Sequence, residues 1–182
     1  DSDRELAGIA KKFEAGKAVL FEKVKDRDYP VLVGLYWNRS TTARMFGTTS
    51  ERLPFVLSDE IAAWRKNPIE PVIVESGPAN EIIEENPDLS TLPIPHHAQG
   101  DGGRYLTSSV VIAKDPDTGV RNLSIHRMMV TGERRCTLLL EDYGHVMDYY
   151  KRAEARGEAL EITVNNGVDL GVHLAAASPS SA

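Results

Sequence analysis

Asp115-Pro116-Asp117-Thr118-Gly119-Val120-Arg121-Asn122-Leu123-Ser124-Ile125-His126-Arg127-Met128 is the stretch on which the fold of the second half of this chain turns. Pro116 and Gly119 provide the preset φ and the left-handed backbone that a tight turn requires. Apolar and β-branched runs flank that turn, residues 105–113 before it and 120–130 after it, so the pattern predicts a β-hairpin. In a continuous strand over 120–130, alternation places Asn122, Ser124 and His126 on one face and Leu123, Ile125 and Arg127 on the other.

Downstream, residues 131–134 read as a turn and 136–140 as a third strand, which makes an antiparallel meander. Residues 144–156 predict a helix with Val146, Tyr149, Tyr150 and Ala153 on one side and Gly157 as its stop. A strand at 160–164, a turn at 165–167 and a small-residue helix through Ala177, capped by Asp169, complete this half.

Upstream, Pro87, Pro93, Pro95, Gly100, Gly102 and Gly103 interrupt every periodic pattern between 86 and 103, the best domain boundary. Before it, Leu6, Ile9, Ala10 and Phe13 form the stripe of a short helix ended by Gly16. Strands at 18–24 and 31–37 flank a polar turn, and Asn38-Arg39-Ser40 caps a helix through Met45, stopped by Gly47. Ser58 opens another helix with Asp59 and Glu60 in its first turn, Asn67-Pro68 closes it, and 72–75 reads as a strand. The expectation is an α/β (α+β) chain, with an α/β domain over 1–92 and a second unit over 93–182.

Composition narrows the function classes. The 182 residues are 41% hydrophobic and 26% charged, as in an ordinary globular chain, which excludes collagen, a disordered tail and a disulfide scaffold. Lys and Arg total 21 against 27 Asp and Glu, a net charge of −6 with no basic block, which argues against a nucleic-acid partner. The single cysteine, Cys136, cannot form an internal disulfide and fits a reducing, cytoplasmic setting. No apolar run reaches the roughly 18 to 20 residues of a membrane helix, so no membrane partner is expected, and Asp1 to Glu5 are too charged for a signal peptide. The chain opens without Met and closes on Ala175-Ala176-Ala177-Ser178-Pro179-Ser180-Ser181-Ala182, so neither end reads as a natural terminus.

Chemistry concentrates after the turn. An Asn122 oxygen suits a hard divalent ion or a hydrogen bond, a Ser124 hydroxyl suits a phosphate or ribityl chain, and Arg127 can grip an oxyanion with two N–H groups. The same pattern also fits an edge strand with a solvated polar face. His145 begins a helix, where the dipole disfavours its protonated form, so a neutral imidazole that donates or ligates suits the place; an ordinary capping-region histidine does too. His96 and His97 are of a type that could bind a metal, but adjacent histidines in an extended segment point to opposite sides and read as loop, and His173 reads as a helix-surface or interface residue. Cys136 has no evident activating base, and Gly100, Gly102 and Gly103 precede a strand with no GKS or GKT, so neither a thiol nucleophile nor a phosphate loop is expected.

The order of the segments is more specific than any one of them. Leu92-Pro93-Ile94-Pro95-His96-His97, then Asp101-Gly102-Gly103-Arg104-Tyr105-Leu106-Thr107, then the stretch from Asp115 to Met128, resembles the UbiD family of decarboxylases. Gly167-Val168-Asp169 and Ala175-Ala176-Ala177-Ser178-Pro179 resemble it too, so the likeness runs through the chain and is strongest from residue 92 onward. The resemblance implies an N-terminal α/β domain and an incomplete flavin-binding split β-barrel. It also implies reversible, non-oxidative decarboxylation of an aromatic, heteroaromatic or α,β-unsaturated carboxylic acid on prenylated FMN, with a divalent ion (Mn2+ or Mg2+), K+ and a homo-oligomer when intact.

Residue by residue, the resemblance makes Asn122 and His145, with 22 residues between them, two of three divalent-metal ligands. It makes Ser124, Ile125, His126 and Arg127 the strand lining the flavin, with Arg127 the active-site arginine. Leu123, Ala175 and Ser178 fall near the monovalent ion, and Ser178 also near the cofactor. Gly144 stands where some relatives carry a glutamine that touches the cofactor, so a side-chain contact is lost there. The family's third ligand, a glutamate, and its catalytic glutamates lie beyond residue 182, and Glu133, Glu141 and Asp142 match none of them. The 182-residue chain alone is therefore expected to be inactive and to bind prenylated FMN weakly, since two ligands leave the ion underligated; tight stoichiometric flavin binding by the purified chain would refute this. The rival readings are a non-catalytic flavin-binding or assembly module and, with less support, a flavin reductase.

Overall fold

In the computed structural model, which describes residues 1–13 and 16–178, the turn after Asp115 closes a hairpin between β4 (Val110–Lys114) and β5 (Arg121–Ile125). Their antiparallel register runs from Lys114 opposite Arg121 to Val110 opposite Ile125. Asp115 holds the turn, its Oδ1 accepting from the amides of Asp117 at 2.8 Å and Thr118 at 3.2 Å, while Gly119 takes φ +74°. Pro179, quoted above with Ser178, lies outside the described residues, as do 180–182.

The chain divides into two units, one of Asp1 with Glu5–Pro93 and one of Ser2–Arg4 with the residues from Ile94 onward. In the second, the expected strand over 120–130 is two strands in two sheets. β5 ends at Ile125, and β6 (Met128–Gly132) begins after His126 and Arg127. The run 105–113 divides likewise, into β3 (Tyr105–Leu106) and β4, with Thr107, Ser108 and Ser109 between them. β3 pairs with β6, and β6 with β7 (Arg135–Leu138), shorter than the expected 136–140; β4 pairs with β5 and with β8 (Ile162–Asn165). One long hairpin thus bends from one three-stranded sheet into the other, and His126 and Arg127 sit at the bend. Strands commonly turn a sheet corner by such a break in the ladder.

β4 is central in its sheet and buried on both faces, which accounts for its unbroken Val-Val-Ile-Ala run. Val110 and Val111 are fully buried, each stabilising the fold by roughly 1.5–3 kcal/mol. α4 (His145–Ala155) packs Val146 and Tyr149 on Ala113, with Leu140 and Leu160 at the margin. Tyr150, expected on that apolar side, is exposed and donates to Glu154 Oε1 at 2.5 Å. α5 (Leu170–Ala177) starts where Asp169 accepts from the Gly171 amide at 2.7 Å, and its His173 meets the Ser108 carbonyl at 3.1 Å.

The first unit holds α1 (Glu5–Lys11), the pair β1 (Val19–Phe21) and β2 (Val31–Val33), α2 (Arg39–Met45) and α3 (Leu53–Lys66). Asn38 caps α2 by accepting from the Thr41 amide at 2.8 Å. Of the stripe expected in the first helix only Leu6 and Ala10 are buried. α3 starts at Leu53 and not after Ser58, because Pro54 suits a first turn and Leu53 is a buried anchor. Residues 72–75 form no strand. Val72, Ile73 and Val74 are exposed, and β-branched residues stabilise a strand only where a neighbouring strand offers a ladder. Among the described residues no helix is long and apolar enough to cross a membrane.

Candidate functional site

Asn122 and Ser124 share one face of β5, opposite Ala113 and Val111 of β4. Ala113 is small enough to admit Tyr149, and with that ring seated, the first residue of α4 lies over Asn122. His145 Nδ1 donates to Asn122 Oδ1 at 2.7 Å, joining groups 23 positions apart. The imidazole also stacks on Tyr149, centroids 6.3 Å apart and planes 19° from parallel.

Ser124 and His126 form a second pair, with Ser124 Oγ and His126 Nε2 2.9 Å apart. Burial pushes the His126 imidazole below its ordinary pKa, opposed by a hydrogen bond to the Leu139 backbone. The unfolded chain therefore takes up a proton more readily than the folded one as pH falls through about 6.5. Stability measured by urea midpoint is expected to fall between pH 7 and pH 5, with His126→Gln flattening that slope; an unchanged slope in the variant would remove His126 as its source.

Arg127 is exposed at the bend and lines an open cavity of about 550 Å3 with His97, Tyr105, Thr107, Met129 and Leu139. The sequence reads His96 and His97 as loop residues aimed to opposite sides, and the two imidazoles do take different neighbours. His96 turns to Asp3, 3.1 Å from Nδ1 to Oδ1, while His97 lines the Arg127 cavity. Ile125 is the last ladder residue of β5, half-buried beside the bend. Gly144 is the N-cap of α4 at φ +129°, ψ 152°, a backbone that only glycine holds without strain. Ser178 is the C-cap of α5, its amide donating to the Ala175 carbonyl at 3.0 Å. Burial raises the Cys136 thiol above its ordinary range, which keeps it protonated at neutral pH.

A cluster of charges holds α4 on the hairpin turn. Arg152 Nη1 and Nη2 donate to the two oxygens of Asp115, each at 2.9 Å, and Arg152 also pairs with Asp117 and Asp148. Arg156 pairs with Asp117. The Arg152 guanidinium holds the Asp115 carboxyl well below the usual carboxylate range.

Among the described residues no three His, Cys, Asp or Glu side chains gather as a metal site, while Asn122 and His145 bring one amide oxygen and one imidazole nitrogen together. An amide oxygen and an imidazole nitrogen together suit an ion such as Mn2+, which takes both donor types.

Residues 70–182 match the Rift-related domain of the 3-octaprenyl-4-hydroxybenzoate carboxy-lyase family, UbiD, and residues 1–61 match its N-terminal domain. An uncharacterized protein from the cooM 5' region of Rhodospirillum rubrum is 49% identical over all of this chain and 40% of its own length. Anhydromevalonate phosphate decarboxylase of Methanothermobacter thermautotrophicus is 38% identical over 83% of this chain and 34% of its own. Among solved structures, an evolved dimeric form of the UbiD-class enzyme HmfF from Pelotomaculum thermopropionicum, in complex with prFMN, superposes with a TM-score of 0.81. It is 38% identical and covers 90% of this chain and 38% of its own. The chain spans two fifths or less of the length of these relatives.

Proposed function

This chain belongs to the UbiD carboxy-lyase family, and from that premise we propose that the protein carrying it is a reversible, non-oxidative decarboxylase that uses prenylated FMN. Its substrate is an aromatic, heteroaromatic or α,β-unsaturated carboxylic acid, and it works as a homo-oligomer. Residues 1–92 act as its α/β domain and 93–182 as the first part of a split β-barrel around the flavin, a reading supported by the hairpin that bends between two sheets.

The observation that carries the proposal is the 2.7 Å approach of His145 Nδ1 to Asn122 Oδ1, from two elements far apart in sequence. With the imidazole in its other tautomer both atoms are acceptors, as metal ligands have to be. They would hold a divalent ion, which would anchor the cofactor phosphate, and Leu123, Ala175 and Ser178 would bound a K+ site. Ser124, Ile125, His126 and Gly144 line the flavin, with Ser178 at its edge. When bound, prenylated FMN supplies an electron sink for the pair released as the carboxylate carbon leaves, which no side chain provides. Arg127 binds the substrate carboxylate through two parallel N–H groups and aligns the bond to be broken.

The test is CO2 release from a panel of such acids by the whole protein that carries this chain, loaded with prenylated FMN and Mn2+. Release without NAD(P)H consumption supports the decarboxylase. NAD(P)H oxidation without CO2 release would support a flavin reductase, and flavin binding with neither would leave a non-catalytic binding or assembly module.

A further inference from the structure

We propose that Arg152, held by Asp115 and acting through Tyr149, is a positioning residue that sets the His145 imidazole for the divalent ion. The inference rests on the reading of Asn122 and His145 as ligands. A histidine exposed at the first position of a helix has several open rotamers, and a metal site tolerates little of that freedom. Here the ring has a neighbour at its edge and another on its face. Nδ1 meets Asn122 Oδ1 at 2.7 Å, and the ring stacks on Tyr149 one turn further along α4.

Tyr149 cannot follow the histidine if it swings. It is 4% exposed and packed with Ala113 and Val146, and the Arg152 guanidinium carbon lies 5.3 Å from its ring centroid. A cation over an aromatic face adds attraction to that packing. The guanidinium is fixed by its fork on the two Asp115 oxygens, by Nε donating to Asp148 at 3.1 Å, and by Asp117.

The contacts from Asp115 through Arg152, Tyr149 and His145 to Asn122 begin and end on the β4–β5 hairpin. Apolar contact between α4 and the sheet is non-directional and leaves small rotations of the helix open. A two-pronged ion pair is directional. Arg152 lies two helical turns from His145, so the helix is tied to the hairpin at both ends of the face that carries the ligand.

The experiment titrates the whole protein that carries this chain, loaded with flavin, with Mn2+ and follows the free ion by electron paramagnetic resonance. Arg152→Met and Tyr149→Leu are expected to weaken Mn2+ binding by about 10–100-fold, the range seen when a group that orients a ligand is lost. Tyr149→Phe keeps the ring and should bind as the parent does. Arg156→Met breaks an ion pair to the same turn without touching Tyr149 and should also bind as the parent does. Unchanged affinity in Arg152→Met, or an equal loss in Arg156→Met, overturns the proposal. If Arg152→Met fails to fold, Tyr149→Leu against Tyr149→Phe decides, and equal affinity in those two overturns it. Asn122→Ala separates the premise: parent-like Mn2+ binding there sinks the ligand reading itself.

Discussion

Arg127→Ala is expected to lower kcat/KM for decarboxylation by about 10²–10⁴-fold, roughly 3–5 kcal/mol of transition-state stabilisation, while leaving the fold unchanged. Arg127 lies between β5 and β6, outside both ladders, and is exposed, so its loss removes no core contact and no strand hydrogen bond. Its side chain lines the cavity beside the bend, where a carboxylate would meet a permanent positive charge. Arg127→Lys keeps the charge but not the planar fork, and should recover only part of the rate. Steady-state CO2 release with thermal unfolding of the same samples checks this; turnover at the parent rate would remove Arg127 from the site.

Asn122→Ala and His145→Ala are each expected to weaken Mn2+ binding by at least about 100-fold, because each deletes a donor atom and not merely its support. Flavin retention on a desalting column should fall with it if the ion anchors the cofactor phosphate. The double variant should lose little more than either single one, since two groups acting as one half-shell do not contribute independently. Stability should move by no more than about 0.5 kcal/mol, as His145 is exposed and Asn122 is half-buried. Mn2+ affinity untouched in both singles would rule out a shared ion.

Much of the local structure was legible because it is written in short-range chemistry. Asn38 and Asp169 accept from amides two or three residues on and open helices where a capping side chain was expected. The turn of Asp115, Pro116 and Gly119 likewise forms the hairpin it predicts. Where the structure departs from these signals, the causes are equally local. Ser58 offered a good cap, but Pro54 and buried Leu53 start α3 earlier. The run at 72–75 has strand composition, but a strand is a pairing, and composition cannot supply a partner.

The same division governs the candidate site. By itself the sequence determined the hairpin, its turn, the helix that begins at His145 and the order of motifs that marks the family, because turns, caps and motif order depend on neighbours along the chain. Only the tertiary structure decided that residues 120–130 break between two sheets, that Arg127 stands at the break and lines one cavity with His97, and that Asn122 and His145 meet. Those outcomes depend on which strands share a ladder and on a tyrosine seated over a small alanine. Both are contacts between residues far apart in sequence, and no local preference along the chain encodes them.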